Sequence, residues 1–257
     1  AAVSGLALVL FLAVPAAADP VVPFGDNGVG LQGVLDGITL FPNPGESSVN
    51  VLEDGVLDAY DSYWSVQATG GSVSTIVVEI AALSGTNTFG LYDAADSSKR
   101  VQVFAGSDSA GAQKTVSIDA WGKVYVNYVY QNTFAGNLFG FYLYNPTNGY
   151  GGPAYFFSDS TLNIGGEDHM AAYQGEGDIV QIDPWAPGKW TADEYVLAWE
   201  DWRPYSGPNS SDRDFTDFVV MVESVCPIPE PTTVLLLGCA LGGLGLLARR
   251  RRRHREA

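Results

Sequence analysis

Short runs of β-branched and aromatic residues, separated by turn signals, most strongly constrain the fold of this 257-residue chain. The clearest runs cover residues 73–80, 123–130, 138–144, 194–199 and 215–225. Turn signals such as Gly70-Gly71 and Gly165-Gly166 lie between them. Outside the two ends, no long stretch has helical periodicity. Short strands at this spacing predict an all-β fold, a single-domain β-sandwich or jelly roll.

The predicted β domain covers residues 36–225, and a division into two lobes near residues 145–153 is an alternative. Residues 19–35 are rich in Gly and Pro and are expected to form a loose lead-in. Cys226 and Cys239 are the only cysteines of the chain. Neither has a partner within the predicted domain, so its stability is expected to come from the hydrophobic core rather than from disulfides.

The two ends carry apolar segments of different kinds. Residues 3–14 are apolar, and Pro15 and Ala16-Ala17-Ala18 follow. This pattern predicts a secretory signal peptide over residues 1–18, without the usual basic start. Residues 232–248 form a second apolar run, and five consecutive arginines follow over residues 249–253, then Arg255. A span of this length followed by basic residues predicts a transmembrane helix with its basic end, residues 249–255, in the cytoplasm.

The order of motifs in residues 226–257 resembles the PEP-CTERM sorting signal of Gram-negative bacteria. The motif itself is Pro229-Glu230-Pro231, and the apolar span and the arginine cluster follow it. The resemblance implies recognition and cleavage by an exosortase-type membrane enzyme and an association with exopolysaccharide or biofilm. The protein would be held in the inner membrane during sorting and would then reach the cell surface or extracellular matrix. A C-terminal anchor that is never cut is the alternative.

Several segments in the C-terminal half of the predicted domain are similar to the extracellular bacterial family catalogued as domain of unknown function 4114. They are Phe156-Phe157, Leu162-Asn163, Asp168-His169 and residues 196–201 and 211–220, with further similar segments at 88–93 and 139–143. Thr216 stands where members of that family commonly have Asn, which argues against a ligand role for Thr216. The resemblance extends over residues 73–225 and implies fold and extracellular location, not a defined activity.

The charge of the chain excludes some partners. The net charge is −16, and six of the 13 basic residues are arginines of the tail. Residues 19–225 alone carry a net charge of −20. A surface this acidic repels nucleic acid and anionic headgroups and attracts divalent cations.

A dense group of carboxylates predicts where such a cation binds. Asp212, Asp214 and Asp217 lie within six residues at the start of a predicted strand, and Glu200-Asp201 ends the strand before it. A hairpin would bring the two groups together, and Ca²⁺ takes 6–8 oxygen ligands in flexible geometry. The sequence therefore predicts a calcium site formed by these five residues. The invariant Gly and distal Glu of an EF-hand are absent.

The alternative for these carboxylates is a turn capped by backbone N–H groups and balanced by Arg203 and Arg213.

For Glu167-Asp168-His169, a hydrogen-bonded structural histidine is favoured over a metal ligand. Four tryptophans are expected mostly in the core, with a sugar-stacking face as the alternative; they are Trp185, Trp190, Trp199 and Trp202.

Two classes of function follow. The first is a noncatalytic surface or matrix protein, calcium-stabilised and glycan-binding. The second is a secreted carbohydrate-active enzyme that uses a pair of acidic residues in an aromatic-lined cleft. No Gly-x-Ser-x-Gly elbow and no Gly-rich phosphate loop with Lys occurs in the chain, and no catalytic residue is assigned.

Overall fold

The computed structural model describes residues 25–66, 72–82, 85–147, 153–202 and 211–229, and for residues 72–82 it describes the backbone. The helices of this part are α1 (Val29–Ile38) and α2 (Asp58–Asp61), with 3-10 turns at Ser160–Leu162 and Ile164–Gly166. The strands are β1 (Thr39–Phe41), β2 (Tyr63–Val66), β3 (Ser72–Ala82), β4 (Thr88–Asp93), β5 (Asp96–Phe104), β6 (Gln113–Asp119), β7 (Lys123–Val126), β8 (Val129–Thr133), β9 (Leu138–Asn145), β10 (Ala154–Phe157), β11 (Met170–Gln174), β12 (Ile179–Val180), β13 (Gly188–Lys189), β14 (Glu194–Trp199), β15 (Phe218–Glu223) and β16 (Val225–Ile228).

The strands form two large sheets and one small sheet. The seven-stranded sheet has the order β11-β14-β15-β3-β6-β7-β8. The six-stranded sheet has the order β16-β2-β9-β4-β5, and β10 pairs with β9. The small sheet is β1-β12-β13. Every pairing between these strands is antiparallel. The prediction of an all-β fold is confirmed.

The main core lies between the two large sheets, and aromatic rings dominate its centre. Phe89 of the six-stranded sheet stacks on Phe218 of the seven-stranded sheet with 5.4 Å between ring centroids. The edge of Trp199 meets Phe89 at 6.0 Å, and Trp64 meets Tyr195 at 4.9 Å. Offset and edge-to-face contacts of this kind add to the free energy gained by burial. The two sheets thus form a sandwich with an aromatic interior.

The other face of the seven-stranded sheet is covered as well. A second core contains Leu31 and Leu35 of α1 together with Val196 of β14 and Val219 and Met221 of β15. Helix α1, the small sheet and the loop between them therefore form a third layer. Strands β14 and β15 are buried on both faces, which explains why both read as continuous apolar runs rather than alternating ones.

Helix α1 corrects the expectation of a loose lead-in over residues 19–35 for residues 29–35, while residues 19–24 lie outside the described residues. It begins at Val29, and Leu31 and Leu35 are fully buried. The helix is short and contains Gly30, Gly33 and Gly37, which lower its intrinsic propensity. Its stability comes from packing on the seven-stranded sheet, so its sequence alone gave no helical signal.

Three boundaries also differ from the prediction. The run 123–130 contains a hairpin, because Asn127 and Tyr128 have positive φ and end β7 before β8 begins. The run 215–225 yields a strand only from Phe218, and Val225 begins another strand. The expected tail boundary at residue 226 is corrected, because β16 pairs with β2 through Cys226 and Pro227.

The predicted signal peptide, Glu230-Pro231 of the motif, the apolar span and the basic cluster lie outside the described residues. Among the residues that are described, no helix is long and apolar enough to cross a membrane.

The packing of α1 makes a testable prediction. Replacing the fully buried Leu35 with Ala should lower the free energy of unfolding by about 2–4 kcal/mol, because a cavity forms in the second core. Val29→Ala, on the exposed side of the same helix, should change it by less than about 0.5 kcal/mol. Urea unfolding of both variants measures this, and equal stability of the two would contradict α1 as a packed layer.

Candidate metal centre

The predicted carboxylates lie at the end of the hairpin formed by β14 and β15. Trp199 and Phe218 form the last cross-strand pair of this hairpin. Glu200 and Asp201 continue directly from Trp199, and Asp217 directly precedes Phe218. The antiparallel register therefore places these three carboxylates at one edge of the aromatic core.

The loop before β15 brings in the other two carboxylates. Arg213 and Phe215 adopt left-handed backbone conformations, with φ of 54° and 56°. Between them, Asp214 Oδ1 accepts hydrogen bonds from the backbone N and the Oγ1 of Thr216, at 2.9 and 2.8 Å. Phe215 is buried in the second core and holds the loop down. Left-handed conformations at bulky residues cost energy and persist only where the surroundings enforce them.

The five carboxylates form two groups that share Glu200. In the first group, oxygens of Glu200, Asp201 and Asp217 all lie within 4.8 Å of one another. In the second, oxygens of Glu200, Asp212 and Asp214 do so. Two oxygens bound to one Ca²⁺ at 2.3–2.6 Å are at most about 5 Å apart, so each group has the spacing of a cation's ligands.

Polar side chains from the opposite sheet hold Asp201 in place. Asn87 Nδ2 donates to Asp201 Oδ2, and Asn145 Nδ2 donates to the Asp201 carbonyl at 3.3 Å. The backbone N of Asp201 donates to Asp217 Oδ2 at 2.8 Å. These contacts fix two of the carboxylates before any cation binds, as an organised binding site requires.

Two carboxylate oxygens of this cluster are buried and accept no hydrogen bond from an N–H group of the described residues, although the side chains of Glu200 and Asp217 bond to each other. They are Oε2 of Glu200 and Oδ1 of Asp201, and the two side chains are 2% and 3% exposed. Leaving such an atom unsatisfied costs about 1–3 kcal/mol, and more for a charged group. The backbone N–H groups of the capped-turn alternative reach other oxygens of the cluster and not these two, and Arg203, which also belongs to that alternative, lies outside the described residues.

The burial of the cluster changes its acidity. Burial and the neighbouring charge of Asp217 raise the pKa of Glu200 to about 9. Burial and the charge of Asp201 raise the pKa of Asp217 to about 7. The pKa values of Asp201 and Asp212 are also raised, in both cases first by burial. A divalent cation would reverse these shifts, because it favours the ionised form of every carboxylate around it.

His169 lies behind the cluster and has a structural environment. Its Nδ1 donates to the carbonyl of Glu200 at 3.1 Å, and its ring lies 4.3 Å from that of Phe156. The backbone N of Glu200 donates in turn to the carbonyl of His169. These contacts position Glu200, and they are those expected of a hydrogen-bonded structural histidine.

A second group of carboxylates was not predicted from the sequence. Oxygens of Asp58, Asp61 and Asp168 lie within 4.8 Å of one another. Burial and the charge of Asp58 raise the pKa of Asp168 to about 7. More than 100 positions separate Asp58 from Asp168, and no local pattern connects them.

The four tryptophans do not form one face. Trp190 lies in the second core and Trp199 in the main core, on opposite sides of the seven-stranded sheet. Trp185 is 42% exposed and Trp202 is partly exposed. A sugar-stacking face made by all four is excluded, and the expectation of core positions holds for two of them.

Sequence reasoning missed three polar residues of the site: Asn87, Asn145 and Asp26. Asp26 lies close enough to Asp212 for its charge to raise the pKa of Asp212. It reaches this position because the backbone N of Gly25 donates to the carbonyl of Arg213 at 3.2 Å. All three come from segments far from the acidic cluster in the chain, so only the fold brings them together.

Comparison with known families gives one match. Residues 129–225 match the family described as Domain of unknown function (DUF4114). The match includes His169 and all five carboxylates of the cluster, and it confirms the resemblance over the C-terminal half. It does not reach residues 73–128, where a resemblance was also expected. Comparisons with curated proteins and with solved structures found no match.

The raised pKa values predict how stability depends on pH. The folded state binds protons more tightly than the unfolded state, so without a cation the free energy of unfolding should fall as the pH rises from about 4.5 towards about 9. Calcium competes with these protons, so the stabilisation by calcium should be larger at about pH 8 than at about pH 5. Thermal melts in chelator and in calcium chloride at both pH values measure this. A calcium shift of equal size at both would contradict binding by these carboxylates.

Proposed function

We propose that this chain is an exported, noncatalytic surface or extracellular-matrix protein whose sandwich is stabilised by bound calcium. The ligands are Glu200, Asp201, Asp212, Asp214 and Asp217. The observation that carries the proposal is the convergence of two carboxylate groups on Glu200, which is itself 2% exposed. A cation bound there supplies oxygen–metal bonds to the carboxylates and neutralises their mutual repulsion.

The chemistry of the ligands favours Ca²⁺ over other metals. Every ligand atom in the two groups is a carboxylate oxygen, whereas Zn²⁺ and Cu²⁺ sites use His or Cys. Mg²⁺ requires a near-ideal octahedron and keeps several waters, which suits a buried site poorly. Calcium accepts irregular arrangements of many oxygens, and the strand end and loop supply such an arrangement.

The site and the expected location support each other. Calcium modules of extracellular proteins bind at about 10⁻⁴–10⁻³ M, so such a site fills outside the cytoplasm and stays empty inside it. The order of Pro-Glu-Pro motif, apolar span and arginine cluster supports export, exosortase processing and delivery to the surface or to an exopolysaccharide matrix. Calcium would then add to the stability of the domain only where it works.

The burial of the central carboxylates supports a binding role over the alternative of a secreted carbohydrate-active enzyme at this cluster. General acid and base residues must reach a substrate oxygen at hydrogen-bond distance. Glu200 and Asp201 are almost fully enclosed between the strand end and the opposite sheet. A dehydrated metal ion fits such a position, and a glycosidic bond does not.

The sorting proposal is tested by the membrane topology of the chain and by the mass of the mature protein. A reporter fused after Ala257 should be active only in the cytoplasm, because the arginines stay on that side of the membrane. In a host that contains an exosortase, mass spectrometry should find the mature protein without residues 232–257. Activity of the reporter in the periplasm would contradict the topology, and an intact tail would favour the uncut anchor.

The calcium proposal is tested by thermal stability. About 10 mM calcium should stabilise the protein by about 1.4–2.7 kcal/mol for a Kd of about 10⁻³–10⁻⁴ M. Glu200→Gln should abolish this gain, because Glu200 belongs to both groups and Gln offers an N–H donor in place of one oxygen. The side-chain oxygen that Gln retains can still accept the hydrogen bond from the backbone N of Trp202. Asp214→Asn should weaken the gain and keep the hydrogen bonds to Thr216.

The matched control is Asp96→Asn, which removes one negative charge beyond the far end of β4 and keeps the oxygen that accepts from Ser98. This variant should respond to calcium as the parent does. Without calcium, Glu200→Gln should be more stable than the parent near neutral pH, because Glu200 must bind a proton when the chain folds at that pH whereas Gln is already neutral. The proposal is wrong if calcium leaves the melting temperature of the parent unchanged. It is also wrong if calcium raises the melting temperature of Glu200→Gln as much as that of Asp96→Asn.

A further inference from the structure

A small pocket lies at the other end of the β14–β15 hairpin, on the side of the seven-stranded sheet that faces the third layer. Its volume is about 160 Å³. Its lining includes Gln113, Trp185, Lys189, Glu194, Met221 and Glu223. Five residue steps of a strand separate it from the carboxylate cluster, which is about 17 Å.

Two carboxylates face each other in this pocket. Glu194 and Glu223 form the first cross-strand pair of the hairpin. The Cβ atoms of such a pair are about 4.5–5.5 Å apart, and like charges in this position destabilise a sheet. Burial and, for Glu223, the charge of Glu194 raise the pKa values of both. Glu194 Oε2 accepts from the backbone N of Thr191, which fixes this carboxylate in place.

Trp185 forms an aromatic wall whose orientation is fixed. Its Nε1 donates to the carbonyl of Gly111 at 2.7 Å, and its backbone N donates to the carbonyl of Ile182 at 2.9 Å. The side chain nevertheless remains 42% exposed. The indole is held by one edge and presents free surface beside two carboxylates, so little conformational entropy is lost when a ligand packs on it.

We infer that this pocket binds one sugar residue that carries no acidic group, with the face of the sugar ring on Trp185 and its hydroxyls donating to Glu194 and Glu223. Hydroxyl groups are donors, and fixed carboxylates are strong acceptors for them. The C–H face of a sugar ring is apolar and packs on an indole as other apolar groups do. The pocket is smaller than the roughly 300–1,000 Å³ of sites for drug-sized ligands, which suits one ring of a longer chain.

The charge of the pocket determines which sugars fit. Glu194, Glu223 and the nearby Asp193 make its electrostatic potential negative, and Lys189 offsets only part of it. A uronic acid would bring a further carboxylate against this charge, which costs several kcal/mol unless the charge is neutralised. The pocket therefore selects neutral polysaccharides over acidic ones.

This inference extends the proposed matrix function by naming the ligand class, but it does not depend on the calcium site. The two sites lie at opposite ends of one hairpin and share no residue. Glu200→Gln should lose the calcium response and keep sugar binding. Trp185→Ala should keep the calcium response and lose sugar binding. The failure of one proposal is thus distinguishable from the failure of the other.

The test is titration of the full-length chain with four oligosaccharides, in which binding is measured by calorimetry or by NMR. The probes are cellotetraose, maltotetraose, N-acetylchitotetraose and, as the acidic control, an alginate tetramer. At least one neutral probe should bind, and the alginate tetramer should not. Trp185→Ala should raise the Kd at least about tenfold, and Trp185→Phe should retain most of the affinity because it keeps an aromatic face.

Trp121→Ala is the matched control, because Trp121 is 78% exposed and lies in the turn between β6 and β7, outside the pocket lining. It should bind as the parent does. Glu223→Gln should reduce the discrimination against the alginate tetramer, since one negative charge is removed from the pocket. A cooperative melting transition above the temperature of the titration shows that Trp185→Ala is folded. The inference is overturned if none of the neutral probes binds, if the alginate tetramer binds best, or if Trp185→Ala binds as Trp121→Ala does.

Discussion

Strands β14 and β15 pair in register over six residues, from Glu194 with Glu223 to Trp199 with Phe218, and both of their faces are buried. One face packs in the aromatic core of the sandwich, and the other packs under helix α1. The hairpin therefore holds all three layers together. Because each face must pack against a different layer, a register shift by one residue would exchange the two sets of side chains and disrupt both cores.

This double burial determines the chemistry at the end of the hairpin. Side chains that follow Trp199 and precede Phe218 must lie at the edge of a buried aromatic core. A Glu and an Asp occupy two of these positions, where ionisation without compensation is costly. A core optimised only for stability would place apolar residues there. The proposed calcium ion would supply the opposite charge at these positions.

The same hairpin connects the two proposed sites. The calcium site would lie at one end and the sugar pocket at the other, and both use residues that belong to the strands or directly adjoin them. Rigid strands hold such groups more precisely than loops do. Calcium bound at the loop before β15 would restrict the motion of that loop, while the sugar pocket at the other end shares no residue with it.

The sequence alone determined the all-β class, the boundaries of β14 and the group of carboxylates, because each rests on a local pattern: β-branched runs, turn residues and acidic residues two or three positions apart. It could also indicate the hairpin that joins Glu200 to Asp217. The helix α1 and the strand β16 were decided by tertiary structure, because a glycine-containing helix and an edge strand with a proline are stabilised by the surfaces they cover. Asn87 meets Asp201 across 114 positions of the chain, and Trp185 comes to lie beside Glu223 in the same way. Such pairings depend on how the layers stack, and no residue pattern within one segment records them.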